Sequence, residues 1–263
     1  MAPAPRPADT DGVRIAVRDA IATVTLSNPR RKNAITAPMW QEITAAFSWA
    51  AGAADVRAVV VTGEGEEFCS GADLGSMPDE HWLAWMRHIS ACCLSVARCP
   101  RPTIARVDGI AAGAGLNLAL ACDLVVASDR ARFSEIFARR GLSIDFGGSW
   151  SLPRRIGLHK AKELALLADI VDAAEAERIG LVNRVVPVDE LDAAVDDWAA
   201  RLAAGPPIAL AQTKALLDGA LTSTLAESLD AEAAAQTVNF GTEDTKEAIA
   251  AFLGKRSPRY TGR

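Results

Sequence analysis

The sequence predicts an α/β fold in which strands alternate with helices before an all-helical C-terminal portion. Three β-branched apolar runs, each followed by glycine or a polar turn, have the composition of buried strands. They span residues 58–62, 103–107 and 124–127. From about residue 189 to residue 253, alanine-rich segments with a helical apolar period and no strand pattern predict helices alone.

The first elements of the chain are predicted to be a hairpin and a helix. Residues 13–17 and 21–26 alternate or run β-branched on either side of Asp19 and Ala20, which is typical of two strands joined by a tight turn. A helix is expected to follow from about Pro38.

Three regions are expected along the chain. Residues 1–12 contain several prolines and predict a short disordered leader. Residues 13–200 form the predicted α/β core, and residues 201–263 form a helical region whose segments separate near Gly205 and at Gly241. These helices are too few to bury their apolar faces alone, so we expect them to pack on the core or on another subunit.

Composition and charge exclude several classes of function. The chain has 263 residues, 50% of them hydrophobic, which is enough to bury a substantial core. Its formal net charge is −5 and it has no run of five or more Lys or Arg, so no nucleic-acid partner is expected. The most apolar segment, residues 103–127, is interrupted by charged residues, so no membrane span is expected.

The cysteines favour a reducing, cytoplasmic location. They are odd in number, none has CxxC or other metal-binding spacing, and most lie in apolar surroundings: Cys69, Cys92, Cys93, Cys99 and Cys122. No metal site is expected. A nucleophilic role for Cys69 is disfavoured because the three histidines lie outside its segment.

Two glycine-bearing segments follow predicted strands and form the candidate site. The first includes residues 70–74 (SGADL), and the second spans residues 109–118 (GIAAGAGLNL). Small residues let backbone N–H groups approach a ligand, and the second segment opens a helix whose first amides are free. A dinucleotide-binding loop is excluded because Leu118 occupies the third glycine position of G-x-G-x-x-G.

Taken with further motifs, these segments resemble the crotonase (enoyl-CoA hydratase/isomerase) superfamily. The further motifs are Cys122 with Asp123, residues 141–148 (GLSIDFGG), residues 152–154 (LPR) and residues 251–258 (AFLGKRSP). The resemblance covers roughly residues 13–260. It implies a crotonase-like spiral of repeated ββα units, a C-terminal helical trimerisation region and binding of CoA thioesters. A homotrimer or a dimer of trimers is therefore expected, with CoA as part of the acyl-CoA substrate and no separate cofactor.

The resemblance also implies which residues bind and polarise the thioester. Its oxyanion hole falls on the backbone N–H groups of Ala72 and Ala114, which would stabilise negative charge on the thioester oxygen. Implied substrate contacts are Arg30, Lys32, Ala34, Ser70, Gly71, Asp73, Leu74, Gly113, Asn117 and Phe137. Phe252 and Lys255 are expected to reach the CoA of a neighbouring subunit.

The residues that would select the reaction depart from the hydratase pattern. Asn117 and Phe137 occupy the two positions where hydratases of the family carry glutamates, and neither side chain transfers protons at neutral pH. Glu135 lies two residues early, which in an extended stretch keeps the same face but moves the group about 6 to 7 Å. Asp145 replaces a glycine between apolar neighbours, which favours a raised pKa and reversible proton transfer. The structural alternative is that Asp145 caps a helix beginning near Ser149.

An aspartate at this turn is similar to phenylacetate-pathway isomerases, where it transfers protons, and to aryl-CoA dehalogenases, where it is a nucleophile. The dehalogenase pattern also has a histidine and a tryptophan where this chain has Ser90 and Phe137, which disfavours dehalogenation. We therefore expect an enoyl-CoA isomerase that works through Asp145. The alternatives are an enoyl-CoA hydratase of the fatty-acid β-oxidation type that uses Glu135 or a group not recognised in the sequence, and a non-catalytic acyl-CoA-binding module.

A stretch rich in aromatic residues lies between the two glycine segments. Residues 77–90 place His81, Trp85 and His88 on nearly one face of a predicted helix, with Trp82 beside it. In the family this region flanks the acyl pocket, so two aromatic side chains there would suit a wide or aryl-accepting pocket. An ordinary core stripe has the same spacing.

Overall fold

The computed structural model describes residues 5–76 and 79–263. Its strands are β1 (Val13–Arg18), β2 (Ile21–Leu26), β3 (Ala58–Gly63), β4 (Thr103–Val107), β5 (Ile110–Ala112), β6 (Leu124–Ser128), β7 (Arg132–Ser134), β8 (Val171–Asp172) and β9 (Arg184–Val186). One sheet has the order β1-β2-β3-β4-β6-β9, and a second has the order β5-β7-β8. Apart from the antiparallel pair β1–β2, the larger sheet is parallel.

The α-helices connect the strands and then continue alone to the C-terminal end. They are α1 (Ala37–Gly52), α2 (Trp82–Ala97), α3 (Ala114–Ala121), α4 (Gly148–Ile156), α5 (Leu158–Leu167), α6 (Ala173–Arg178), α7 (Leu191–Ala203), α8 (Pro207–Ala220), α9 (Leu225–Phe240) and α10 (Glu243–Leu253). Short 3-10 turns lie at Pro29–Arg31, Ile136–Arg140 and Val188–Glu190.

The structure confirms the predicted hairpin and the three buried strands. Val13 pairs with Leu26 and Arg18 with Ile21, so the turn falls at the two residues expected. The apolar runs become β3, β4 and β6, and the helix expected from Pro38 is α1. The alternation of strands and helices is therefore correct.

Continuous apolar runs occur in the central strands because both faces of the sheet are covered. Val60, Ile104 and Val126 face α7, whereas Val59 and Val61 belong to the main core under the other helices. Neighbouring residues of a strand point to opposite faces, so a strand buried on both sides has no polar alternation. These strands are therefore recognised in the sequence by their apolar, β-branched composition and not by an alternation of apolar and polar residues.

The C-terminal helices differ from the prediction in two details. The boundary expected after residue 200 falls inside α7, whose Leu191 and Val195 pack on the sheet, so α8 is the first helix without a fully buried residue. The expected breaks before α8 and α10 are present, but a further break separates α8 from α9. Its signal is Thr224 with Glu227, which form a capping box at the start of α9.

Part of the expected leader contacts the core. Residues 1–4 lie outside the described residues. The Asp9 side chain accepts a hydrogen bond from Ile15 N at 2.8 Å, and the Arg6 guanidinium lies 5.8 Å from the centre of the Trp49 ring. Asp9 and Arg6 thus contact the core, and the three-region division, including the leader, stays a prediction.

Helices α8 to α10 expose many large apolar side chains. They are Leu217, Leu221, Leu225, Leu229, Val238, Phe240, Ile249, Phe252 and Leu253. In the described ranges, no helix combines the length and apolar character that crossing a membrane requires.

Candidate active site

The two glycine-bearing segments lie side by side. Cys69 N donates to Ile110 O at 2.9 Å, and Ala112 N donates to Cys69 O at 3.0 Å. Gly71 allows this approach because its φ is +105° and because a Cβ at that position would lie 2.9 Å from Ala112 O. The ends of two separate strand-to-helix connections therefore meet at one place.

Two backbone N–H groups at this junction are unused. Ile35 bonds to the residues on both sides of Ala72, accepting from Asp73 N and donating to Gly71 O, each at 2.8 Å. Among the described residues, neither Ala72 N nor Ala114 N donates a hydrogen bond. Ala114 is the first residue of α3, where the helix dipole adds positive potential. Two free amides of this kind can bind an oxygen atom that carries negative charge.

A basic loop runs along the first of these segments. Buried Asn33 fixes the loop by donating to Glu67 O at 2.6 Å and accepting from Asn28 N at 3.0 Å. Ser70 Oγ donates to Arg31 O at 2.8 Å, which joins the loop to the glycine segment. The loop therefore places the expected CoA contacts at residues 30–34 next to those at residues 70–74.

The charged side chains of this loop are not equivalent. Arg30 is exposed, and in the described part of the chain it makes no ion pair. Lys32 has a left-handed φ of 52°, and its Nζ lies 2.8 Å from Glu67 Oε1. Arg30 is therefore available to a phosphate group, whereas Lys32 must share its charge with Glu67.

Asp145 lies in the loop before α4 and does not cap that helix. The N-cap residue is Gly147, and no side chain makes a cap hydrogen bond there, so the alternative in which Asp145 caps the helix is wrong. Asp145 Oδ1 is buried and has no hydrogen-bond partner among the described residues. Burial raises the pKa of Asp145 to about 6. The fold thus leaves Oδ1 of this carboxylate without a partner, and the pKa of Asp145 lies close to neutral pH.

Glu135 lies against the same site, although the sequence interpretation placed it at a distance. It is fully buried, and its Oε2 lies 3.4 Å from Asn117 Nδ2. Burial, followed by the charge of Asp145, raises the pKa of Glu135 to about 8. Glu135 lies between β7 and a 3-10 turn, so the geometry of an extended stretch does not apply there. An acidic residue between the apolar Phe133 and the apolar pair Ile136 and Phe137 is the signal that the sequence offers for it.

Asn117 connects the Glu135 carboxylate to the backbone of the loop that carries Asp145. It is 1% exposed, and its Nδ2 also donates to Asp145 O at 2.9 Å. Phe137, at the other hydratase position, is buried against Gly113, where a Cβ would lie 3.6 Å from the ring. The structure therefore places Asn117, Phe137, Glu135 and the loop of Asp145 next to one another.

The aromatic stretch is divided between core and surface. Residues 77 and 78 lie outside the described residues, and α2 begins only at Trp82, with His81 as its N-cap through a 3.2 Å bond from Leu83 N. Trp85 belongs to the main core, as a core stripe requires, whereas Trp82 is 61% exposed. His88 lies 3.5 Å from Glu80.

Phe252 and Lys255 lie at the end of α10, outside the site of this chain. Phe252 is 82% exposed. In the described residues, no hydrogen bond, ion pair or core packing joins either side chain to the glycine segments. Their expected role on a neighbouring subunit stays a prediction.

Comparison with known proteins identifies the family. The model of the family described as enoyl-CoA hydratase/isomerase matches residues 16–263. A "Probable enoyl-CoA hydratase" of Rhodobacter capsulatus is 40% identical over 95% of this chain and 98% of its own length. The 1,2-epoxyphenylacetyl-CoA isomerase of Escherichia coli is 34% identical over 94% of this chain and 97% of its own. The crystal structure of enoyl-CoA hydratase from Bacillus anthracis superposes with a TM-score of 0.92 at 31% identity, covering 96% of this chain and 100% of that one.

The fold and these comparisons define an acyl-CoA enzyme with an α/β crotonase fold. The chain belongs to the enoyl-CoA hydratase/isomerase family of the crotonase superfamily. The resemblance seen in the sequence is confirmed, and the non-catalytic binding module is set aside.

The close packing of the two segments predicts the effect of one substitution. Gly115→Ala would place a Cβ 2.8 Å from the Cys69 side chain, so we expect the free energy of unfolding to fall by about 1–3 kcal/mol. Urea unfolding would measure the loss. The matched control is Gly219→Ala in α8, where a Cβ meets nothing within 4 Å and a gain of about 1 kcal/mol is expected. Equal effects of the two substitutions would contradict this account of the packing.

Proposed function

We propose that the chain is an enoyl-CoA isomerase that shifts a double bond with Asp145 as the proton shuttle. The observation that carries the proposal is the buried, unpartnered Oδ1 of Asp145 at a site whose two hydratase glutamate positions hold Asn117 and Phe137. A single carboxylate suffices to remove a proton from one carbon and return it to another. Adding water generally needs a second acid–base group.

The proposed reaction conserves the proton. Ionised Asp145 removes a proton from the α carbon of a 3-enoyl-CoA, and the electron pair forms a dienolate whose negative charge lies on the thioester oxygen. Asp145 then returns the proton to the γ carbon, which leaves a 2-enoyl-CoA and the original carboxylate. No cofactor beyond the CoA of the substrate takes part.

The amides of Ala72 and Ala114 are proposed to stabilise the dienolate. Both are free and belong to adjacent segments, and Ala114 N also lies at the positive end of α3. One well-aimed amide contributes about 2.7–4 kcal/mol to a transition state that carries an oxyanion. This contribution is common to every reaction that passes through a thioester enolate.

Substrate binding is proposed to use the loop at residues 30–34 and the segment at residues 70–74. Arg30 and Lys32 supply positive charge for CoA phosphates, although the chain as a whole is acidic. The remaining proposed contacts are Ala34, Ser70, Gly71, Asp73, Leu74, Gly113, Asn117 and Phe137. The exposed apolar faces of α8 to α10 support a trimer or a dimer of trimers, in which Phe252 and Lys255 would reach a neighbouring CoA. All five cysteines are free, which supports a cytoplasmic location.

Hydration of 2-enoyl-CoA is the second candidate function. It is favoured by Glu135, which places a second carboxylate beside Asp145 and Asn117. In that reaction one carboxylate would activate water and the other would donate the proton. The Escherichia coli relative is named an isomerase and the Rhodobacter capsulatus relative a hydratase, so names alone do not separate the two.

Replacing the proposed base tests the assignment directly. Asp145→Asn keeps the shape of the side chain but cannot accept the proton, so we expect kcat for 3-enoyl-CoA isomerisation to fall about 100- to 10,000-fold. Spectrophotometric assays on 3-enoyl-CoA and on 2-enoyl-CoA would separate isomerisation from hydration. Calorimetric titration with CoA is the control and should give an unchanged Kd. Undiminished isomerisation in Asp145→Asn would eliminate the proposal.

The pH dependence follows from the burial of Asp145. The base acts only when ionised, and burial raises its pKa to about 6, so kcat/KM should fall as pH drops through about 6. An exposed aspartate would keep the enzyme active to about pH 4. Measuring kcat/KM from pH 4 to pH 7 in buffers of constant ionic strength would locate the pH at which activity falls. A profile that stays flat down to pH 4.5 would contradict the role of Asp145.

A proline substitution tests the proposed amide of Ala114. Proline is tolerated at the first position of a helix, so Ala114→Pro removes the N–H while leaving the hydrogen bonds of α3 in place. We expect kcat to fall about 100- to 1,000-fold. Leu225→Pro, at the first position of α9, is the matched control and should leave kcat within about twofold. Equal activity of the two variants would exclude the Ala114 amide from catalysis.

A further inference from the structure

One buried carboxylate takes no part in the proposed double-bond shift. Glu135 is fully buried between β7 and the 3-10 turn Ile136–Arg140. It faces Asn117 of α3, which in turn bonds to the loop that carries Asp145. A buried carboxylate needs either a hydrogen-bonding or charged partner or a proton, so the protonation state of Glu135 affects the side chains in contact with it.

The side chain of Asn117 is held in one orientation. Its Nδ2 donates to Asp145 O at 2.9 Å, which fixes nitrogen rather than oxygen on that side. Gly148 packs directly against the amide, because a Cβ at that position would lie 2.6 Å from Asn117 Oδ1. These contacts oppose rotation of the amide. The protonation state of Glu135 must therefore match the donor and acceptor that Asn117 presents to it.

Two acceptor atoms at this contact are unsatisfied. Glu135 Oε1 and Asn117 Oδ1 are both buried, and neither has a hydrogen-bond partner in the described part of the chain. An ionised carboxylate has no donor and leaves both atoms unpaired. A carboxylic acid pairs reciprocally with a primary amide, accepting from the N–H and donating its O–H to the amide oxygen. One proton on Glu135 thus supplies both missing partners.

The charged groups around Glu135 also favour its protonated form. Burial is the largest cause that raises the pKa of Glu135, and the charge of Asp145, in the loop before α4, raises it further. From α3, the neutral Asn117 donates a hydrogen bond that lowers this pKa without reversing the shift. Cys93 of α2 donates to Phe146 O at 3.4 Å, and burial, followed by the charge of Asp145, raises its pKa to about 11, so it stays neutral. Among the described residues, no Lys or Arg bonds to either carboxylate. Ionising both would place two negative charges in one buried site.

We propose that Glu135 is a positioning residue that stays protonated while Asp145 is ionised, pairs with the side chain of Asn117, and through it fixes the loop of Asp145. The inference deepens the proposed function, since it takes Asp145 as the base. Glu135 itself transfers no proton to or from the substrate. Its proton keeps the charge of the site at one negative unit, which leaves room for the charge of the dienolate.

The proton affinities agree with this assignment. The pKa of Glu135 is raised to about 8 and that of Asp145 to about 6, both chiefly by burial. Between these values one carboxylate is ionised and the other neutral. Above pH 8, Glu135 ionises, its bond to Asn117 Oδ1 is lost, and a second negative charge opposes the dienolate.

Infrared spectroscopy of the full-length protein tests the protonation state without any substrate. At pH 7 we expect a C=O stretching band of a protonated carboxyl that shifts on ¹³C-glutamate labelling, disappears by pH 10 and is absent from Glu135→Gln. In Asp145→Asn the band should persist but titrate at lower pH, because the neighbouring charge is gone. The lack of such a band in the wild type at pH 7 would overturn the proposal.

The pH–rate profile tests the positioning role. Glu135→Gln keeps both hydrogen bonds to Asn117 but cannot ionise, so the ratio of its kcat/KM to that of the wild type should rise about tenfold between pH 7 and pH 9. A constant ratio would make Glu135 a structural residue only. Loss of more than about 100-fold at every pH would make it a proton-transferring group, as the hydratase alternative requires.

The two measurements separate this inference from the proposed function. If Asp145→Asn retains isomerisation, the proposed function fails, while the infrared band still reports on Glu135. If Asp145→Asn abolishes isomerisation but the band is missing, the function stands and the role of Glu135 is wrong.

Discussion

The two hydrogen bonds between Cys69 and the segment at residues 110–112 determine the geometry of the whole site. They join the connection after β3 to the connection after β4, so two amides that are 42 positions apart in sequence, at Ala72 and Ala114, come to one junction. Gly71 and Gly115 are small because the backbones meet there with no space for a Cβ. The sheet sets the distance between the two connections, and the glycines let them close.

Electrostatics rather than shape distinguishes this site from an ordinary backbone junction. Asn117 Nδ2 contacts Glu135 Oε2 and the backbone oxygen of Asp145, whose Oδ1 is buried, and in the described residues no cation neutralises the two carboxylates. A fold normally avoids this arrangement, because an unpaired buried charge is destabilising by several kcal/mol. The arrangement is tolerable when one carboxylate holds a proton. The arrangement is useful when the second carboxylate must gain and lose a proton near neutral pH.

The elements that the sequence predicts correctly are those whose signals are local. The hairpin β1–β2, the buried strands and the glycine segments follow from composition and turn residues. The roles of Ala72, Ala114 and Asp145 come from the family resemblance and stay proposals. The position of Glu135 does not follow from the sequence, because it depends on a change from strand to 3-10 turn within three residues. The break between α8 and α9 is a different case, since its signal, the capping pair Thr224 and Glu227, is local and goes undetected when only glycine and proline are taken as breaks.

Asn117 shows how the reaction and the packing are linked. A glutamate at this position of α3 would supply an acid–base group from the helix. Asparagine supplies none, but its Nδ2 holds the loop that presents Asp145, and Gly148 leaves the space that its amide fills. Asparagine at this position thus offers no proton-transfer group of its own but holds the backbone of the loop whose Asp145 is the proposed base. Because the proposed oxyanion hole would serve isomerisation and hydration alike, the proposal of a double-bond shift depends on where the site carries its carboxylates.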